Sequence, residues 1–351
     1  MRKTAILLLT VLFTGSLNAQ PRKTYQAMAD SEMKRFPQAW QLDYGSRPFW
    51  GYTQGVGCTA MLAVWRATGE QKYYDYVLKY SDFMVNDKGE IYNYDYVNGP
   101  HNIDMINTGK ILFPVYKETG NEKYRKAMDM LYTAMMSHPR NSEGGFWHKD
   151  IYPWQMWLDG LYMGDPFLAQ YAVMFDKPEL MDDVMNQYAL VGKYMRDAKT
   201  GLYYHAWDEK KQQAWCDPAT GLSHIFWGRS VGWWFMSLVD VLDYVPANHP
   251  RRPEILKMIR GLADALPKYQ KDGLWYQVLD QGGREGNYQE ASVTSMFMYS
   301  YAKAVNKGYL AKKYRKYAEN AYNGLMSKLI RIDPDGTMNL TQCCAVAGLG
   351  G

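Results

Sequence analysis

The feature that most constrains this chain is a repeat. A short phrase recurs that runs from a polar turn through Gly into alternating aromatic residues: KGEIYNYDY (88–96), EGGFWHKD (143–150), TGLYYHAWD (200–208), DGLWYQVLD (272–280) and DGTMNL (335–340). Turn chemistry followed by period-two alternation reads as a short β-strand or hairpin arm. PQAWQLDYGSRPFW (37–50) fills the first such slot without the same Gly. Between the phrases lie paired helical stretches: 51–68 with 71–85, 103–118 with 121–137, 157–175 with 178–196, 228–245 with 252–270, and 290–305 with 309–330. The joints TGEQKY (68–73) and TGNEKY (119–124) are near copies, with Gly ending one helix and polar residues opening the next.

In each pair the first helix is the more apolar and the second the more charged; VGCTAMLAVW contrasts with KKYRKYAENAY. An inner ring wrapped by an outer, amphipathic ring follows. With an opening helix over 24–36 the count is about eleven, one short of six pairs. The expected fold is all-α, an (α/α)6 barrel or six-hairpin toroid with short β-strands at the rim. The closing residues CCAVAGLGG end in a glycine-rich turn without a closing helix, which leaves open that the chain is cut short there.

Arg2 and Lys3 precede the apolar run AILLLTVLF (5–13), and small and polar residues then lead to LNA (17–19). That is the pattern of a secretory signal peptide cleaved near Ala19. The run is too short for a membrane anchor, and residue 20 is Gln, so a lipoprotein cysteine is missing there. Residues 1–19 are thus expected to be a signal peptide and 20–351 one catalytic domain, exported to a periplasm. The four cysteines are expected to be mostly free and buried, since a chain this large needs no staples. Neither CxxC nor HExxH occurs, so no metal and no cofactor is expected. A net charge of +4, evenly spread, argues against a nucleic-acid partner and is compatible with an anionic substrate. Thirty Tyr and twelve Trp against eleven Phe favour rings with a polar tip. The core accounts for most of them, and carbohydrate is the ligand class such rings suit.

In a toroid of this kind, inner helices start at one rim, so functional side chains belong at their N-termini and in the aromatic phrases. Asp159 in YPWQMWLDGLYM sits just inside an inner-helix start among Trp154 and Trp157. It is either an N-terminal acidic residue favoured by the helix dipole or a general acid whose pKa the indole rings raise by desolvation. Asp165, beside Pro166, reads as a turn or cap residue. Asp104 in NGPHNIDMINTGK opens another inner helix and carries the same two readings. Arg229, in the apolar stretch SHIFWGRSVGWW, needs an anionic partner, either an internal Asp or Glu or a substrate carboxylate. His205 lies in an aromatic strand; Trp227, Trp233 and Trp234 fit the core equally well, and His148 and Lys149 are rim candidates.

At YPWQMWLDGLYM the chain resembles the unsaturated rhamnogalacturonyl hydrolases, glycoside hydrolase family 105, which are related to the unsaturated glucuronyl hydrolases of family 88. The likeness covers nearly all of the chain beyond the signal peptide through WGYTQGVG (50–57), HNIDMINTGK, GGFWHKD, the His205 strand and FWGRSVGWW. It implies an (α/α)6 barrel, with Asp159 as general acid/base and Asp104 as second active-site aspartate. Lys149, His205, Arg229 and Trp233 would line the subsite of the unsaturated sugar, with His148, Trp157 and Trp227 close by. The implied reaction is hydration of the C4=C5 vinyl ether of a terminal unsaturated galacturonate from rhamnogalacturonan, a pectin. Unsaturated glucuronyl fragments of ulvan or glycosaminoglycans, a periplasmic glycan-binding role and a polysaccharide lyase are the alternatives. Family members continue past AGLGG with a further helical segment.

Overall fold

The computed structural model describes residues 23–95 and 99–349; the expected signal peptide and its cleavage site lie outside them. The chain alternates outer and inner helices. Outer helices are α1 (Thr24–Arg35), α3 (Gln71–Met84), α5 (Glu122–Met136), α8 (Leu180–Tyr194), α10 (Arg252–Ala265) and α12 (Arg315–Gly324). Inner ones are α2 (Tyr52–Thr68), α4 (Leu112–Thr119) with the 3₁₀ segment Ile103–Ile111 before it, α6 (Leu158–Met163) continued by α7 (Asp165–Met174), α9 (Gly228–Val241) and α11 (Ala291–Asn306). Neighbouring inner helices pack on one another in chain order from α2 to α11. Together the rings form the (α/α)6 barrel expected from the repeat.

The outer ring closes on itself through α1. Thr24 meets Tyr322 of α12 at 2.7 Å, and Asp30 accepts from Tyr73 of α3 at 3.0 Å. Of the inner helices α9 is buried nearly all round, whereas α2 keeps an exposed strip at Ala60, Ala63 and Ala67, and outer helices such as α3 keep one wet face. This is the burial pattern that the apolar and amphipathic sequences dictate.

The repeated phrase has one backbone reason for its glycine. Gly89, Gly144, Gly201, Gly273 and Gly336 all adopt positive φ, between 80° and 88°, a region closed to most side chains. Each of the first four sits in a turn closed by one antiparallel bridge: Val85 with Ile91, Arg140 with Phe146, Arg196 with Tyr203, and Lys271 with Leu274. Gly69 and Gly120 end α2 and α4 in the left-handed conformation, as the near-identical joints require.

Two expectations need correcting. Most phrases form single bridges rather than strands; two antiparallel pairs occur among the described residues, β1 (Gln155–Trp157) with β2 (Ala206–Asp208), and β3 (Ile330–Ile332) with β4 (Met338–Leu340). A turn that only returns the chain from an outer helix to the next inner one needs no longer ladder. Residues 37–50 are not a strand arm: Ala39–Tyr44 is 3₁₀, ending with Asp43 and Tyr44 at positive φ. All four cysteines are free, but only Cys58 and Cys216 are buried.

Candidate active site

The β1–β2 ribbon sets the first pair of side chains. Its register opposes Trp157 to Ala206, and Leu158 N–H donates to the His205 carbonyl at 3.0 Å. Asp159, in the first turn of α6, thereby meets His205: Nε2 lies 3.1 Å from Oδ2. Both atoms are buried, and neither completes an aligned hydrogen bond within the protein. Buried polar atoms left open within the chain call for a partner from outside it, a water or a ligand.

A second bridge sets the other aspartate. Asn102 pairs with Lys149, and Ile103 N–H donates to the His148 carbonyl at 3.2 Å. The Asn102 side chain accepts from Asp104 N–H and so starts the 3₁₀ segment. Lys149 Nζ then reaches Asp104 Oδ2 at 2.7 Å, and His148 Nε2 stands 3.5 Å from Oδ1. Asp104 therefore opens an inner segment as expected, but with 3₁₀ rather than α geometry.

Aromatic rings join the two halves. His148, Tyr152 and Trp157 lie nearly parallel, with Trp157 4.7 Å from each of the other two. His205 meets Trp157 edge-on at 5.1 Å and Trp227 at 4.8 Å. Gly160 lets α6 come this close, because a Cβ there would stand 3.2 Å from His148 Nδ1. Trp233 packs against Tyr162 and against Tyr52.

Burial of Asp159 pushes its carboxyl pKa up, yet the His205 charge and contact, with His148 beyond, hold it below the usual carboxylate range. The raised pKa expected from its tryptophan neighbours is thus overturned, because an opposite charge at contact distance outweighs desolvation. Burial also holds His148 below its ordinary value, partly offset by Asp104 and Asp159. Among the described carboxyl groups it is Asp165, at the start of α7, whose pKa is raised well above normal, because burial dominates there. Its Oδ1 is buried and without a hydrogen-bond partner.

Arg229 stands at the second position of α9, its guanidinium 4.8 Å from the Trp227 ring. Nη1 donates to the carbonyl of Cys344. Among the described residues no carboxylate pairs with it, so of its two expected partners the internal one is missing. Tyr52 was overlooked in the sequence, although it sits in WGYTQGVG at the start of α2. Burial raises its phenol pKa, Arg229 opposes this, and Asp104 and Asp159 add to it, so its hydroxyl lies within the field of all three. Its only sequence signal was position, at the first residue of an inner helix.

A cavity of about 640 Å³ lies between residues 88–95 and α5 and is lined by none of these side chains. Among the described residues no group of three or more His, Cys, Asp or Glu is placed to hold a metal ion. No helix among them is long and apolar enough to cross a membrane.

Residues 24–351 match the sequence model of Glycosyl Hydrolase Family 88. The chain belongs to that family. Its fold is similar to a family 105 glycoside hydrolase of C. acetobutylicum, with a TM-score of 0.89 and 42% identity over 94% of this chain and 90% of that one. It is 37% identical to a 24.9 kDa protein of the picA locus of Rhizobium radiobacter, over 54% of this chain and 82% of that protein. It is 26% identical to the unsaturated rhamnogalacturonyl hydrolase YesR of Bacillus subtilis, over 86% of this chain and 80% of YesR. This family 88 member is accordingly a glycoside hydrolase acting on oligosaccharides, and a purely glycan-binding role has no support among these relatives.

Proposed function

We propose that this family 88 hydrolase removes a terminal 4,5-unsaturated galacturonic acid from rhamnogalacturonan-derived oligosaccharides, with Asp159 as general acid/base. One observation carries the reading: among the described residues Arg229 has no carboxylate partner, yet it shares the field around Tyr52 with Asp159 and Asp104. A site that keeps an unneutralised guanidinium beside a proton-transfer carboxylate suits an acidic sugar. The likeness to YesR over most of both chains supports rhamnose as the next sugar.

The chemistry follows from the vinyl ether. Asp159 protonates C4 of the double bond, positive charge develops at C5 and the ring oxygen, and water activated by the same carboxylate adds at C5. The hemiketal then opens, releasing the next sugar and a keto acid. One carboxylate serves both steps, so carboxylate separation does not set the stereochemistry as it does in ordinary glycosidases. In the free protein Asp159 favours its anion; a uronate bound nearby, with water excluded, raises its pKa and supplies the acid. Asp104, held by Lys149, accepts from sugar hydroxyls, and Trp157, Trp227, Trp233, His148 and His205 wall the subsite. No cofactor enters. Export through the N-terminal segment to a periplasm, as part of pectin breakdown, belongs to the same reading.

The test is a panel of lyase-generated disaccharides, followed by loss of the ultraviolet absorbance of the conjugated double bond. Loss with the galacturonyl–rhamnose member supports the reading. Turnover confined to glucuronyl members would replace it, and a gain of absorbance on polymer would mean a lyase.

A further inference from the structure

The segment Gln342–Cys344 ties two inner helices together at the edge of this site. Ala291, the first residue of α11, donates its N–H to the Gln342 carbonyl at 3.1 Å. Glu290, 1% exposed, caps the same helix: Oε2 accepts from Val293 N–H at 2.7 Å. Its other oxygen, Oε1, accepts from Cys344 N–H at 2.8 Å, and Ser292 Oγ donates to the same carboxylate. Cys344 then turns its carbonyl to Arg229 Nη1. Farther along, Gly348 lies against Trp157, where a Cβ would stand 4.0 Å from the indole ring. The segment thus runs from the start of α11, over Arg229, to the aromatic wall.

The type of group facing Arg229 matters. An Asp or Glu in the place of the Cys344 carbonyl would orient the guanidinium but cancel its charge. A peptide carbonyl orients it through one N–H and leaves both the charge and the rest of the fork for an anionic ligand. The carbonyl can do so only if its own peptide is held. Glu290 holds it, with a carboxylate fixed by backbone and hydroxyl donors and, among the described residues, by no cation.

We propose that Glu290 is a positioning residue: through Cys344 it fixes the Arg229 guanidinium and so sets the preference for a free carboxylate on the substrate. This rests on the reading above, in which Arg229 binds the uronate. The test compares the full chain with its Glu290→Ala and Glu290→Gln variants in two measurements. Amide hydrogen exchange at Cys344 should speed up about tenfold or more in Glu290→Ala and stay near the parent in Glu290→Gln, which keeps an acceptor oxygen. For the unsaturated disaccharide, Glu290→Ala should raise KM about tenfold with kcat within about twofold. Its preference for the free acid over the methyl ester should fall by the same factor, and Glu290→Gln should restore it.

Unchanged exchange at Cys344 overturns the anchor whatever the activity. Faster exchange with an unchanged acid-to-ester ratio, or a loss confined to kcat, overturns the positioning role while the proposed function stands. No turnover of any unsaturated disaccharide by the parent chain overturns the proposed function and the specificity role with it; faster exchange would still assign the anchor.

Discussion

His205 Nε2 lies 3.1 Å from Asp159 Oδ2, in a contact that neither atom completes as an aligned hydrogen bond. The pair is buried beside Trp157 and Trp227 and governs the protonation of Asp159. Replacing Asp159 by Asn should keep the shape and remove the proton donor. Turnover of the unsaturated disaccharide should fall by about 10²–10⁴-fold, the usual worth of general acid/base catalysis, while ligand binding by calorimetry persists. Full activity in that variant would remove Asp159 from the mechanism.

The same pair makes a prediction about pH. His205→Asn takes away the charge that holds the Asp159 pKa down and leaves burial to raise it. The limb of kcat/KM assigned to Asp159 should then move to higher pH. Stability carries the opposite signs in the two proteins. In the parent, a depressed Asp159 pKa contributes stability above the unfolded value, lost as pH falls through the folded one. In the variant a raised pKa favours folding at acid pH, so its melting temperature should drop less on acidification. A profile with an unmoved limb would show that His205 does not set this carboxyl.

Lys149 is the cation that keeps Asp104 paired, at 2.7 Å, with both side chains mostly buried. Lys149→Met leaves Asp104 facing only His148, whose own proton is disfavoured by burial. The loss should be about 1–3 kcal/mol in chemical denaturation and about tenfold or more in kcat/KM. Lys149→Arg, which keeps a cation, should recover most of both.

Lys110, deeper along the barrel axis, gives a test of stability alone. Its ammonium donates to the Tyr162 carbonyl at 3.1 Å and lies 3.6 Å from that ring. Burial lowers its pKa to about 7, with Asp240 opposing the shift. The unfolded chain therefore binds the extra proton between pH about 7 and the ordinary lysine value, so stability should rise with pH across that window. Lys110→Met should flatten the rise. A denaturation series with the same slope in both proteins would contradict the assignment.

Much of this was legible in the sequence because it is local. The helix pairs follow from hydrophobic spacing, and the turn glycines from a left-handed backbone that only Gly adopts cheaply, as Gly89, Gly144, Gly201 and Gly273 show. Inner-helix starts located Asp159, Asp104 and Arg229, since a repeat that alternates inner and outer helices also fixes which ends meet at one rim. Tyr52 escaped notice, although its position followed the same rule, because one tyrosine among thirty carries no signal of its own. The strand expectation overreached, since alternation of aromatic residues cannot tell one bridge from a ladder.

By itself, then, the chain's pattern determined the double ring and the rim on which the chemistry gathers, because helical period and turn conformation are properties of neighbouring residues. The tertiary structure alone decided the electrostatics. Tryptophan beside Asp159 pointed to a raised pKa, and the fold brought His205, forty-six residues away in number, to contact it and reverse the direction. Likewise it paired Lys149 with Asp104 and gave Arg229 a carbonyl from Cys344 instead of a carboxylate. Charge interactions depend on distances of a few ångströms between segments far apart in sequence, and those distances exist only once the helices have packed.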